Sequence, residues 1–429
     1  MNAHAREILQ LALPSIVSNI TVPLLGLADV AIMGHIGNAR YIGAIAVGSM
    51  IFNVIYWLFG FLRMGTSGLT AQAYGARQPN ETASVLRRSL TVALSAGVLI
   101  LLFQWPIRLL ALWLMRPSQD VALLVTPYFN ICVWGAPAML GLYALTGWFV
   151  GMQNTRIPMV VAIGQNILNI MASVAFVFAL GMQVEGVALG TVLAQWAGFI
   201  AALLLAGKLL PQRTLLLKTH GGYGRFFRVN RDIFLRTLCL VTVNFYFTSA
   251  GAAQGAMTLA VNTLLMQFFL LFSYFLDGFA YAGEALSGRY YGAGNRRALS
   301  HVVNSLFGWG ALMVVLFTLI YWLGGSTFLQ LLTSDRSVTA AASHYYNWVL
   351  LIPICGVAAF VWDGIYIGLT ATRGMLWASF LALVVFFAVW WSLAPVWGNH
   401  ALWLALLLFL AVRGVVQTLL FRFRPLEKL

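Results

Sequence analysis

Twelve apolar runs follow one another along the chain, each long enough for an α-helix to cross a bilayer, which takes roughly 20 residues. They cover about 9–33, 42–70, 85–107, 121–150, 157–180, 186–207, 232–253, 256–286, 301–324, 340–370, 375–396 and 400–421. With 61% hydrophobic and only 8% charged residues, a water-soluble fold would carry more apolar surface than it could hide, so the solvent must be lipid. The runs are continuous rather than alternating in polarity, which excludes a membrane barrel and predicts an all-α, multi-pass membrane protein.

The net charge of +14 does not point to nucleic acid, because the basic residues lie between the apolar runs rather than on one patch. Arg6, Arg77, Arg87, Arg88, Arg156, the connection 208–231, Arg289, Arg296, Arg297, Arg373, Arg422, Arg424 and Lys428 occupy alternate connections. The opposite connections hold Arg40, Arg108, Arg116 and Arg336. The positive-inside rule then places both termini and the 208–231 connection in the cytoplasm. The first run is too long for a signal peptide and leads to no small-residue cleavage site, so it is read as a retained first helix. Cys132, Cys239 and Cys355 fall inside apolar runs and are odd in number, and the histidines have no paired spacing, so neither a disulfide framework nor a metal site is expected. Without a nucleotide-binding motif, an ion gradient or a separate partner is left as the energy source, and no cofactor is expected.

The two halves repeat. A shift of 217 positions lays Leu69, Thr70 and Ala71 and then Tyr74, Gly75 and Ala76 on Leu286, Ser287 and Gly288 and then Tyr291, Gly292 and Ala293. It also lays Gly147, Gly151, Thr155 and Arg156 on Gly364, Gly368, Thr372 and Arg373. The expected organisation is a first lobe 1–207, a basic linker 208–231 and a second lobe 232–429, six helices in each lobe. An even number of spans per half makes the repeats parallel, and paired lobes with a cavity between or within them suit alternating access. The Gly-x-x-x-Gly pairs at 147/151 and 364/368 are read as close helix packing. Nothing in the sequence requires more than one chain.

Polar residues inside the apolar runs are the functional candidates, since each is costly in lipid. Asp29 shares a helix face with Ser15, Ser18 and Val22. In such a place a carboxylate can carry a proton when neutral and attract a cation when ionised; the alternative is a structural carboxylate hydrogen-bonded to a neighbouring helix. Pro14 and Pro23 each remove a backbone hydrogen bond from the same run and offer a hinge. Gln165, Asn166, Asn169 and Ser173 form a stripe at steps of three and four, and Thr191 and Gln195 add to it from the next run; these side chains suit either ion contact or helix adhesion. In the second half the candidates are Asp277 and Glu284 with Ser273 and Tyr281, and Asp363 with Tyr366. Tyr143, Trp148 and Tyr366 offer rings to a cationic ligand. Arg63 in the second run reads either as a buried partner or as an end residue snorkelling to the interface, and it is the one candidate for an intramembrane cation.

The stretches 11–37, 63–76, 166–170, 186–196, 276–293 and 398–414 together resemble the multidrug and toxic compound extrusion (MATE) family, and within it the DNA-damage-inducible protein F (DinF) branch. The resemblance spans essentially all twelve runs. It implies the MATE fold, two pseudo-symmetric six-helix lobes in a V, and export of amphipathic, cationic small molecules in exchange for protons or sodium ions. Asp29 matches the family's first-helix carboxylate of ion coupling, Asn169 and Thr191 the same network, and Pro14 the proline where that helix bends. Ser173 stands where many relatives carry an aspartate, and the seventh run has no acidic residue inside it, although Asp363 fits the tenth-helix aspartate of the sodium-coupled branch. These departures favour a proton antiporter coupled through Asp29. The alternatives are a sodium-coupled antiporter, a flippase for lipid-linked substrates, which would need a more cationic cavity, and a membrane-embedded enzyme, for which no clustered set of catalytic side chains is visible.

Overall fold

A computed structural model describes residues 3–35, 39–210, 223–333 and 335–423. Arg213 and Lys218 of the basic connection, and Arg424, Glu427 and Lys428 at the C-terminal end, lie outside the described residues. Within them the chain forms α1 (Ala3–Gly34), α2 (Ala39–Leu58), α3 (Phe61–Gly75), α4 (Pro79–Leu102), α5 (Gln104–Met115), α6 (Gln119–Cys132), α7 (Ala136–Gly151) and α8 (Arg156–Val174). It continues with α9 (Val184–Leu209), α10 (Gly224–Ala253), α11 (Ala256–Gly292), α12 (Arg296–Leu332), α13 (Arg336–Gly368), α14 (Thr372–Trp397) and α15 (Asn399–Phe423). No strand occurs among the described residues. Twelve helical stretches are long and apolar enough to cross a membrane, α2 with α3 and α6 with α7 each counting as one.

Most helices run several residues beyond the expected apolar runs, and two differences bear on the reading of the chain. The third run, expected to reach residue 107, ends as α4 at Leu102; after Phe103 a separate helix, α5, begins. Pro106 explains the break: proline lacks an N–H donor, which the first turn of α5 tolerates and the interior of a longer α4 would not. No α5 residue is buried, and Trp105 and Trp113 are exposed. The seventh helix begins at Gly224 rather than 232, so Arg225, Arg228 and Arg231 of the basic connection lie on the first turns of α10.

The helices pack as two compact units, Val17–Phe226 and Met1–Ile16 together with Phe227–Leu429. In the first unit α3 and α4 pack on α7, α8 on α9 and α2 on α6. In the second α11 and α15 pack on α13, α14 on α15, and α12 on both α11 and α13. The 217-residue repeat is a repeat of backbone geometry within each unit. A Cβ on Gly147 would overlap the carbonyl of Arg63, and one on Gly364 the carbonyl of Ala280, the residue 217 positions on. One turn later, a Cβ on Gly151 would lie 2.7 Å from the Ser67 carbonyl oxygen and 2.9 Å from the Ala71 nitrogen. On Gly368 it would lie 2.5 Å from the Glu284 carbonyl oxygen and 2.9 Å from the Gly288 nitrogen. Side chains are excluded there because backbones touch, which is the packing role read for these glycines.

The helix ends repeat as well. Arg77 and Gly294 follow α3 and α11 with φ of 56° and 68°, and Gln153 and Thr370 follow α7 and α13 with φ of 63° and 52°. In each case the next amide reaches back over the left-handed residue: Gln78 to the Ala73 carbonyl, Asn295 to Tyr290, Asn154 to Phe149 and Ala371 to Tyr366, all at 2.9–3.0 Å. This is the Schellman closure that satisfies the last carbonyls of a helix.

Candidate functional site

Asp29 stands near the end of α1 and is only 7% exposed. Its Oδ1 is buried with no hydrogen-bond partner among the described residues. The Tyr128 hydroxyl and the Cys132 thiol on α6, both buried, lie within its electrostatic reach. Tyr128 is positioned by Gly48, whose missing side chain leaves room for the ring, with 2.6 Å between a would-be Cβ and Cε1. Its hydroxyl meets Ser49 Oγ at 3.3 Å. Nearby, Tyr56 and Gln195 are buried side by side, and Gln195 lies against Gly135, where any side chain would collide with it. Buried polar atoms left unpaired need an explanation, and a site for a proton, ion or ligand is one of the standard ones.

Three of the sequence-predicted residues join one chain of hydrogen bonds. Ser173 donates to Asn169 Oδ1 at 3.1 Å, Asn169 Nδ2 donates to Thr191 Oγ1 at 3.4 Å, and Thr191 donates to the Val187 carbonyl at 3.0 Å. Steps of four along α8 place Asn169 and Ser173 on one face, and the Gly190 backbone approaches Ser173 so closely that α9 can present Thr191. Asp29 makes no hydrogen bond to this chain. Asn166 Nδ2 donates to the Thr21 carbonyl of α1 at 3.3 Å, and Gln165 packs against Gly198, with 2.9 Å from its Oε1 to a would-be Cβ. Tyr143 lies partly buried against the first unit's core, whereas Trp148 is fully buried and donates to the Thr82 carbonyl at 3.0 Å. α1 runs unbroken through Pro14 and Pro23; Pro14 falls just before Ile16, where the chain passes from one unit into the other, and Pro23 is exposed.

In the second unit the structure assembles a site that the sequence reading missed. Arg236 of α10 and Arg413 of α15 both donate through Nη2 to Asp363 Oδ2 on α13, and Gln417 Nε2 donates to Oδ1 at 2.9 Å. Arg63 is therefore not the sole intramembrane arginine: Arg236 and Arg413 are 7% and 4% exposed, and Arg88 is buried too. The signal was present, since an arginine inside an apolar run is as costly as Asp29. Tyr366 is fully buried and donates to the Gln417 carbonyl at 2.7 Å, so its ring packs rather than lines an opening. Asp277 is half-buried near Tyr274, and Glu284 is buried. No group of three or more His, Cys, Asp or Glu side chains suited to a metal ion occurs among the described residues.

Twelve apolar helices, arranged as two units with one repeated backbone scheme and with buried polar centres in each, define a polytopic transport protein of the repeat-built class. Residues 14–175 and 233–391 match the MatE family, and the chain belongs to that family of transporters, in its DinF branch. It is 40% identical to DNA damage-inducible protein F of Escherichia coli K12 over 98% of this chain and 93% of the relative. It is 25% identical to the chloroplastic Protein DETOXIFICATION 44 of Arabidopsis thaliana over 95% of this chain and 80% of the relative. Among solved structures, an outward-facing multidrug resistance MATE transporter superposes with a TM-score of 0.88, at 19% identity, covering 99% of this chain and 96% of that one.

Proposed function

We propose that this chain exports amphipathic, cationic small molecules across the bacterial inner membrane in exchange for protons, and that Asp29 is the carboxylate through which the two are coupled. One observation carries the reading: Asp29 Oδ1 is buried and has no hydrogen-bond partner among the described residues. A buried carboxylate of this kind is costly when ionised and uncompensated, so it gains from either a proton or a cationic ligand. Exclusive occupancy by one or the other is antiport. Protonation removes the charge that attracts the substrate; loss of the proton toward the cytoplasm restores it. The chain Ser173–Asn169–Thr191 ties α8 to α9 and gives the first unit a polar scaffold that can rearrange when the charge on α1 changes, with Pro14 as the place where α1 lacks a backbone hydrogen bond. The alternating placement of arginines supports cytoplasmic termini, and the relatives named for multidrug resistance support the substrate class.

The test is dye efflux from proteoliposomes containing wild-type or Asp29→Asn protein, under an imposed proton gradient and then a sodium gradient. Proton-driven movement that is lost in the variant is the expected result. Movement driven by sodium alone would move the coupling ion from a proton to a metal cation, and undiminished proton-driven movement in Asp29→Asn would sink the mechanism.

A further inference from the structure

At the Asp363 centre of the second unit the contacting charges do not balance. Arg236 and Arg413 contribute two positive charges to one carboxylate, Asp363, and all three are at most 7% exposed. Asp232, one turn before Arg236 on α10, does not correct this: it pairs with Arg231 at 2.9 Å and accepts a hydrogen bond from Thr372 at 3.1 Å. The Cys239 thiol also lies near both guanidiniums. The donors are not used up either. Each arginine engages Asp363 through Nη2, and the Nε–H of each is buried with no partner among the described residues; Gln417 adds an Nε2 donor, already given to Asp363 Oδ1, while its Oε1 is an acceptor. A planar guanidinium offers five N–H donors in a fixed fork suited to oxyanions. Two forks converging on one carboxylate, with inward N–H groups unspent and one positive charge in excess, present an anion-selective centre to a low-dielectric interior.

We infer that the second unit binds a small monovalent anion, a halide or the carboxylate of an organic molecule, at Arg236 and Arg413. Asp363 acts there as a built-in competitor: it holds the two arginines together and occupies part of the donor set. A cation does not suit this place, because both Asp363 oxygens already accept and two positive charges flank them. The binding does not depend on the transport reading, so either can fail while the other stands.

The experiment measures the thermal unfolding midpoint of the purified full-length protein in detergent while chloride or benzoate replaces bulky isethionate at constant ionic strength. Wild-type protein is expected to show a saturable rise with chloride, marking an inorganic anion site, or with benzoate, marking a carboxylate on an apolar body. Arg236→Gln and Arg413→Gln lose the response, while the exposed-site variant Arg297→Gln keeps it. Asp363→Asn removes the competitor and gains a stronger anion dependence, saturating at several-fold lower concentration; a merely structural Asp363 would lose stability with no anion able to restore it. Should the arginine variants fail to fold, Asp363→Asn decides alone. No saturable response in wild type, a response that survives in Arg413→Gln, or an Asp363→Asn response no stronger than wild type overturns the inference.

Discussion

Gly147 lies so close to the backbone carbonyl of Arg63 that a single methyl group on it would overlap the oxygen, and Gly364 stands in the same relation to Ala280. Backbone cannot swing aside as a side-chain tip can. Gly147→Ala and Gly364→Ala are each expected to cost about 1–3 kcal/mol, the usual range for overpacking a tight interior. Gly164 has nothing within 4 Å of its would-be Cβ, so Gly164→Ala is the control. Thermal midpoints in one detergent should fall for the first two variants and not for the third; equal midpoints would refute the backbone-contact account.

Asp29→Asn keeps the shape of the side chain and removes an uncompensated buried charge. The variant is expected to unfold at a midpoint no lower than wild type, while coupled dye efflux falls by roughly tenfold or more. A large loss of stability would instead assign Asp29 a structural role.

Asn169 is the middle link between Ser173 and Thr191. Asn169→Ala leaves both hydroxyls without that partner and is expected to cost ~1 kcal/mol, in line with interhelical hydrogen bonds in membranes. Ser173→Ala removes one link and should cost less. The order of the two midpoints is the check.

Gly294 and Thr370 hold left-handed conformations at the ends of α11 and α13, with φ of 68° and 52°. A Cβ in that region costs roughly 1–2 kcal/mol, and β-branching makes Thr370 the harder case. Gly294→Ala is therefore expected to lower the midpoint and Thr370→Gly to raise it. Opposite signs at two helix ends closed in the same way are the distinguishing result.

Asp335 caps α13 by accepting from the Ser337 and Val338 amides at 2.8 and 3.4 Å, with the Ser337 hydroxyl at 2.6 Å. These donors hold its carboxyl below the usual aspartate value. Because the folded-state value is depressed, the cap's contribution is present above the unfolded value of about 3.9 and is lost as pH falls through the folded one. Hydrogen-exchange protection at the Ser337–Thr339 amides, corrected for intrinsic rates, should hold steady down to that region and drop below it. Asp335→Asn should keep the cap and lose the pH dependence.

The local signals in the sequence carried far in this chain. Hydropathy located all twelve spans, because lipid penalises any unsatisfied backbone and leaves helices as the solution. The shift of 217 residues found the glycines that meet a neighbouring helix, because a backbone contact excludes every other residue type. The stripe of Asn169 and Ser173 was visible as helical spacing, and Thr191 was expected beside it. The register failed where a short-range feature was overruled, as at Phe103, where Pro106 ended an apolar run earlier than hydropathy alone implied.

What the amino-acid sequence determined by itself was therefore whatever one segment can decide: helix or not, lipid or water, which residues are too small for a side chain to intervene, and which buried polar groups carry a cost. Which of those groups meet was decided only by tertiary structure. Arg236 and Arg413 lie 127 and 50 positions from Asp363, and no periodicity links them. Each reads alone as an isolated expensive charge. Only the packing of α10, α13 and α15 turns three such charges into one centre, while Asp29 Oδ1 meets no hydrogen-bond partner among the described residues, because the compensation of a buried charge is set by what other helices bring within reach and not by its own neighbours along the chain.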